Sequence, residues 1–249
     1  MYRFFVKKEQ IDTAAGEAVI TGPDRNHIKN VLRLRVGDEL SVMVDSDREY
    51  RCAIKGFSDD EIELTILFIK ESDAELDCET VLYQALPKGD KMETVITKAV
   101  ELGASRIVPV ATDRAVVRLE GDRENKKISR WNSISEAAAK QSKRAYVPEV
   151  SHVMTFEEAL RDCCTFDKKI IPYELSDPDS MDETRKVIAG IKPGEKIAVF
   201  IGPEGGFTKE EIALAKEEGF VPVTLGHRIL RTETAGQTVL SWIILQIEK

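Results

Sequence analysis

Residues 196–235 read KIAVFIGPEGGFTKEEIALAKEEGFVPVTLGHRILRTETA, and the reading of this stretch decides the fold. Ile197 to Ile201 is a short, β-branched apolar run of the kind a buried strand uses, and it breaks at Gly202-Pro203-Glu204-Gly205-Gly206. Thr208 and Glu211 have the spacing of a capping box, Ala213, Leu214 and Ala215 lie within the helix it starts, and Gly219 is placed to end that helix. A second strand, Phe220 to Leu225, runs into Gly226-His227-Arg228-Ile229-Leu230-Arg231, after which Thr232-Glu233-Thr234-Ala235 starts the last helix. Strand, helix and strand make one βαβ unit. Both glycine-containing loops therefore leave the same edge of a parallel sheet, the edge at which open α/β sheets bind ligands. Neither loop is followed by Gly-Lys-Ser/Thr or has the spacing G-x-G-x-x-G, so the residues by themselves indicate a pocket without naming its ligand.

Upstream, strand and helix patterns continue to alternate from about residue 77. Val81 to Leu86, Arg106 to Val110, Glu149 to Val153 and Lys169 to Tyr173 read as strands, with short helices expected after Thr155 and Ser180. A helix beginning at Asp90, with Glu93 in capping position, carries Met92, Val95, Ile96, Ala99 and Val100 on one face and ends at Gly103. In a longer helix from Glu124 to Lys143, Ile128, Trp131, Ile134, Ser135 and Ala138 share a face, which assigns Trp131 to the core. This alternation predicts an α/β domain over residues 77–249, its parallel sheet covered on both sides.

Residues 1–72 have a different period. Arg3 to Val6, Ala18 to Thr21, Leu40 to Val44, Tyr50 to Ile54 and Ile62 to Ile69 are short alternating runs, the last with Ile62, Leu64, Ile66 and Phe68 on one face. Asp45-Ser46-Asp47 and Ser58-Asp59-Asp60 read as hairpin turns. A helix over Asp24 to Leu34 buries Ile28, Val31, Leu32 and Arg35 and leaves Lys29 and Arg33 available. The pattern predicts a small β-barrel, joined to the second domain by an acidic linker over Glu71 to Asp77.

The longest apolar stretch, Val239 to Ile247, is interrupted by Ser241 and Gln246 and is far too short to span a bilayer. No signal peptide is read at the first residues, and a cytoplasmic location is expected. Cys52, Cys78, Cys163 and Cys164 lack metal-ligand or scaffold spacing, and three scattered histidines (His27, His152, His227) suggest no metal site. A formal charge of −8 argues against a general nucleic-acid coat protein, since affinity for RNA rests on neutralised phosphates. Local basic groups remain around Arg3, Lys29 and Arg33, at Arg114, and at Arg144.

GPEGGF at 202–207 and LGHRILRTETA at 225–235 together resemble the C-terminal signature of the RsmE family. The resemblance extends to RFF at Arg3, to His27 with Val31-Leu32-Arg33, to PKGDKMETVITKAVELGASRIVPV from Pro87 and to SEAAAKQSKR from Ser135. These are SPOUT-class methyltransferases that modify N3 of a uridine in small-subunit ribosomal RNA. The resemblance implies a PUA-like barrel that helps hold RNA, a deep trefoil knot in the C-terminal domain, a homodimer, and S-adenosylmethionine as cofactor, with the RNA met in an assembled particle. It places the cofactor at Ile201, Gly202, Gly205, Gly206, Leu225, Gly226, Ile229 and Leu230, and RNA at Arg3, Lys29, Arg33, Arg114 and Arg144. Arg231 is then the candidate for stabilising charge on the uracil, assisted by Arg114 or Arg144 of a second subunit, and Glu204 or Glu233 the candidate proton acceptor. Another SPOUT reaction, such as ribose 2′-O methylation, and a non-catalytic RNA-binding module are the alternatives.

Overall fold

A computed structural model describes residues 1–44, 48–71, 74–173 and 181–248. The expected turn at Asp45-Ser46-Asp47, and Ser72 and Asp73 of the expected linker, lie outside the described residues. The chain divides into two units: residues 1–75 with 139–147, and residues 76–138 with 148–249.

The first unit is a mixed, barrel-like sheet of six strands: β1 (Arg3–Phe5), β2 (Ile11–Asp12), β3 (Glu17–Thr21), β4 (Glu39–Met43), β5 (Arg48–Phe57) and β6 (Glu61–Glu71). Their order is β1-β4-β5-β6-β3-β2, with β1 and β4 parallel and the other pairs antiparallel. Register shifts between Arg51 and Cys52 and between Ile54 and Gly56 interrupt the β5–β6 ladder, and such bulges bend a sheet around its core. Ile62 and Leu64 of β6 are fully buried as the alternation predicts, but Phe68 is half exposed, with the Arg51 guanidinium 5.8 Å from its ring centre. The expected helix over residues 24–34 is shorter and less regular. It is the single turn α1 (Pro23–Asn26) continuing as a π-turn over His27–Val31, closed by Leu32 N–H donating to the His27 carbonyl at 2.9 Å. Ile28 is buried, Val31 and Arg35 are exposed, and Arg33, at φ 57°, ends the turn.

The second unit is built on a parallel sheet. Its strands are β7 (Glu79–Ala85), β8 (Arg106–Ala111), β9 (Glu149–Val150), β10 (Met154–Thr155), β11 (Lys168–Pro172), β12 (Lys196–Ile201) and β13 (Val221–Val223). They run in the order β10-β8-β7-β12-β11-β13, with β9 also on β8. The strand expected over 149–153 is thus two short pieces on either side of a break. β12 is paired on both edges, by β7 and β11, and Ile197 to Ile201 are all buried, so both faces of the strand are covered and the run is apolar without alternation. Phe200 stacks on Tyr83 at 4.5 Å between ring centres and meets Phe220 edge-on at 4.6 Å, anchoring the core on one side of the sheet.

The helices are α2 (Lys91–Glu101), α3 (Gly121–Ser142), α4 (Phe156–Asp162), α5 (Met181–Ala189), α6 (Lys209–Glu217) and α7 (Thr232–Ile247). The capping box of α6 forms, with Glu211 N–H donating to Thr208 Oγ1 at 3.1 Å and Thr208 N–H to Glu211 Oε2 at 2.8 Å. The one expected for α2 does not: Asp90 makes no side-chain cap, and the Glu93 carboxylate takes Arg130 Nη2 at 2.9 Å instead. Trp131 is buried, as its helical face requires. α7 packs against α2 and β12.

Candidate functional site

Because β12 and β13 run parallel within one sheet, the loops that follow them leave it at one edge. β12 and β13 are not neighbours: β11 separates them, and its end, Pro172 and Tyr173, forms a wall between the two glycine loops. The loops, this wall, Thr232 and Ala235 of α7, and Lys91 of α2 enclose a cavity of about 470 Å³, in the range of small-molecule sites.

Residues 203–206 form a tight turn, with Gly206 N–H donating to the Pro203 carbonyl at 2.9 Å. Gly206 has φ 67°, which glycine adopts without strain. The chain doubles back so closely that a Cβ on Gly202 would sit 3.3 Å from both the Gly206 Cα and the Phe207 ring. Below the turn, Thr232 Oγ1 donates to the Gly202 carbonyl at 2.6 Å and accepts from Gln84 Nε2 at 2.8 Å, tying the loop to the first turn of α7 and to β7. On its outer side, Arg114 Nη1 donates to the carbonyls of Gly205 (2.9 Å) and Phe207 (3.3 Å), and Asp113 N–H donates to Glu211 Oε1 at 2.9 Å.

Of the residues expected around a cofactor, Ile201, Gly202, Gly206, Leu225, Gly226, Ile229 and Leu230 line the cavity. Gly205 lies outside the lining; a Cβ there would stand 3.3 Å from Arg114 Cβ, so its lack of a side chain makes room for the arginine rather than for a ligand. Ile229 is 88% exposed, an apolar side chain held out at the cavity rim. Arg231 lines the cavity from the residue before α7, and among the described residues its guanidinium has no hydrogen-bond or ion-pair partner. Glu204 lines it too, but Lys91 Nζ binds its Oε1 at 2.6 Å and Lys88 N–H reaches the same oxygen at 3.2 Å. Burial pushes the Glu204 carboxyl up, yet the hydrogen bonds from Lys91 and the backbone outweigh it and hold the group below its ordinary value. Glu233 is not part of the lining: its Oε2 is buried without a hydrogen bond among the described residues, 3.9 Å from Lys91 Nζ.

The arginines expected to meet RNA are in unequal positions. Arg144 is 2% exposed, gripped by Glu75 through Nε at 2.8 and 2.9 Å and through Nη2 at 2.6 Å. Arg3 pairs with Glu49 at 2.7 Å and also donates to the Lys143 carbonyl. Arg114 is spent on the carbonyls of the glycine loop. Lys29, in the π-turn, and Arg33, just beyond it, are exposed, Lys29 resting 6.0 Å from the Phe57 ring centre. Ion pairing within the chain thus accounts for Arg3 and Arg144, and neither is displayed as a free cation. Sequence reasoning missed Lys91, Tyr173, Gln84 and Thr232. Of these, Lys91 and Thr232 had a signal, since they fall in the runs PKGDKMETV and LGHRILRTETA.

Residues 74–244 match the family model described as an RNA methyltransferase domain, and residues 20–67 the one described as an RNA methyltransferase PUA domain. The chain is 35% identical to Ribosomal RNA small subunit methyltransferase E of Bacillus subtilis, over 100% of this chain and 98% of that protein. It is 32% identical to the protein of the same name from Mesomycoplasma hyopneumoniae, covering 97% and 98%. It is also similar to the crystal structure of a Ribosomal RNA small subunit methyltransferase E from Neisseria gonorrhoeae bound to S-adenosyl methionine, with a TM-score of 0.81, 31% identity, and 98% and 97% of the two chains covered.

Proposed function

The chain belongs to the ribosomal RNA small subunit methyltransferase E family, and on that footing we propose that it transfers a methyl group from S-adenosylmethionine to N3 of a uridine in small-subunit ribosomal RNA. The observation that carries the proposal is the cavity at the sheet edge, framed by both signature loops and bordered by Arg231, whose guanidinium has no partner among the described residues. When bound, the cofactor supplies an electrophilic methyl carbon on a sulfonium, and in-line attack requires a fixed bend and a fixed nucleophile. The loops 201–206 and 225–230 provide closely approaching backbone and the apolar side chains Ile201, Leu225 and Leu230 for an adenosyl group.

Uridine N3 holds its proton at neutral pH, so the protein must stabilise the anion left when that proton departs. Arg231 has a planar, permanently charged donor set for the uracil oxygens. Glu204 is a weakened base because Lys91 and the Lys88 amide hold it in its charged form. That shifts the main burden to the arginine, with Glu233 as the remaining carboxylate beside the site. Lys29 and Arg33, exposed on the PUA unit, suit the phosphates of an RNA held there.

A homodimer and a trefoil knot belong to the same proposal. Val239, Leu240 and Ile243 of α7 are buried within their own chain, while Trp242 and Ile244 are half-buried and Leu245 is 80% exposed, which supports a second apolar contact that light scattering reads directly. The bonds from Thr232 to both Gln84 and Gly202 support a last helix threaded past β7 and the loop after β12.

The test is at Arg231. Arg231→Ala should lower the single-turnover methylation rate by about 10²–10³ with cofactor affinity nearly unchanged, as for loss of one donor to a developing anion. Arg231→Lys should recover only part of the loss. Mass mapping of the methylated nucleosides distinguishes base from ribose methylation, and an unaltered rate in the alanine variant would sink the catalytic role.

A further inference from the structure

Lys91 is the first residue of α2, and its Nζ is held within the site between two carboxylates from different segments. Glu204, on the turn after β12, binds it at 2.6 Å, and Glu233, in the first turn of α7, lies 3.9 Å away. Glu233 Oε2 is buried and has no hydrogen bond among the described residues, so the Lys91 ammonium supplies the compensating charge beside it. Glu204 is further fixed to the start of α2 by the Lys88 amide. One cation therefore joins α2, the 203–206 turn and α7, while Arg114 secures the outer side of the same turn through its backbone carbonyls. Removing Lys91 would leave two carboxylates beside the cavity without the cation they share, one of them with a buried oxygen.

We infer that Lys91 is a positioning residue of the methyl-transfer site, acting through Glu204 to hold the Gly202–Gly206 turn in the shape that accepts the cofactor. This rests on the methyltransferase reading and adds to it a residue that none of the signature loops contains. Two other roles make different predictions. A solvated ion pair with no bearing on the turn would be worth little, and a lysine that touches the ligand itself would act whether or not Glu204 is charged.

The experiment is a double-variant cycle on the full chain, with Lys91→Met, Lys91→Arg, Glu204→Gln and the pair Lys91→Met/Glu204→Gln. S-adenosylmethionine affinity is measured by calorimetry and the methylation rate by single turnover at saturating cofactor. Lys91→Met should weaken cofactor binding about tenfold, as for loss of one charge-assisted hydrogen bond, and Lys91→Arg should restore most of it. The loss should fall mainly on cofactor affinity, so that the rate of Lys91→Met at saturating cofactor changes by less than its affinity does. In the Glu204→Gln background, Lys91→Met should add little further loss. Equal losses in the two backgrounds, or no loss in either, overturn the inference while leaving the methyltransferase reading intact. A wild-type chain that binds no S-adenosylmethionine overturns both. Thermal midpoints of the arginine and methionine variants separate a reshaped site from a failure to fold.

Discussion

Thr232→Val exchanges a hydroxyl for a methyl of nearly the same shape at a site that is 5% exposed. In the wild-type chain that hydroxyl donates to the Gly202 carbonyl at 2.6 Å and accepts from Gln84 Nε2 at 2.8 Å. Gln84 is fully buried; its Nε2 keeps a second bond, to the Ala85 carbonyl at 3.0 Å, but its other N–H would be stranded, and its Oε1 already has no partner among the described residues. A buried donor or acceptor left unsatisfied costs about 1–3 kcal/mol. Two such groups, less about 0.8 kcal/mol for the added buried methyl, give an expected destabilisation of roughly 1–5 kcal/mol. Thr232→Ser keeps the hydroxyl and loses only the methyl, at a cost of about 1 kcal/mol. Urea unfolding followed by tryptophan fluorescence measures both, since Trp131 and Trp242 lie in the C-terminal unit. The reasoning fails if the valine variant lies within about 0.5 kcal/mol of wild type, the scatter expected of a neutral substitution, or if serine is as damaging as valine. Because the freed carbonyl belongs to the turn at the cavity wall, cofactor affinity should fall in the valine variant and persist in the serine one.

Gly236→Ala is expected to stabilise the C-terminal unit: a Cβ there meets Ile201, Leu82 and Gln84 at 3.7–3.9 Å, ordinary contact, and alanine is favoured over glycine in a helix by about 1 kcal/mol. Calorimetry should show its transition rise by about 2–4 °C, and a fall would mean that α7 has no room at this position. For Glu49, burial raises the carboxyl pKa, but the hydrogen bond from Ser41 and the charges of Arg3 and Lys70 outweigh it and keep the group below its ordinary 4.5. A depressed native pKa contributes stability that is present above the unfolded value and lost as pH falls through the folded one, so the N-terminal unit should weaken below pH 4.5. Glu49→Gln should flatten that slope in urea midpoints taken between about pH 3 and 6, whereas a slope parallel to wild type would show that other groups carry it.

What the sequence made legible was what neighbouring residues determine. The β12 run, the Thr208–Glu211 cap and the buried face with Trp131 each depend on local periodicity or on a three-residue reach, and each is present. The insertion of β11 between β12 and β13 depends on pairing between distant segments, and nothing in residues 196–235 encodes it. The availability of charges is non-local for the same reason. Arg144 resembles any basic residue until Glu75 closes on it, and Arg114 resembles an RNA contact until it is found on the Gly205 carbonyl. Asp90 met the local requirement for a cap, but its partner Glu93 was taken by Arg130 of another helix. Identifying the family depended on the signature loops, while the work done by Lys91 and Thr232 emerged only from the bonds they make across the fold.

The N-terminal unit is assembled from two separate lengths of chain, residues 1–75 and residues 139–147. The second length supplies Arg144 to Glu75, Lys140 to Asp24 at 3.0 Å, and the Lys143 carbonyl to Arg3. During synthesis, therefore, the first 75 residues emerge with Glu75 and Asp24 still lacking these cations. At roughly 5–20 residues per second the missing piece follows several seconds later, after β7, α2, β8 and most of α3 have been made. All six strands are present by then, but the unit must wait through that interval without the segment that neutralises these carboxylates. A gene fragment cut at the apparent domain boundary would fix it there permanently.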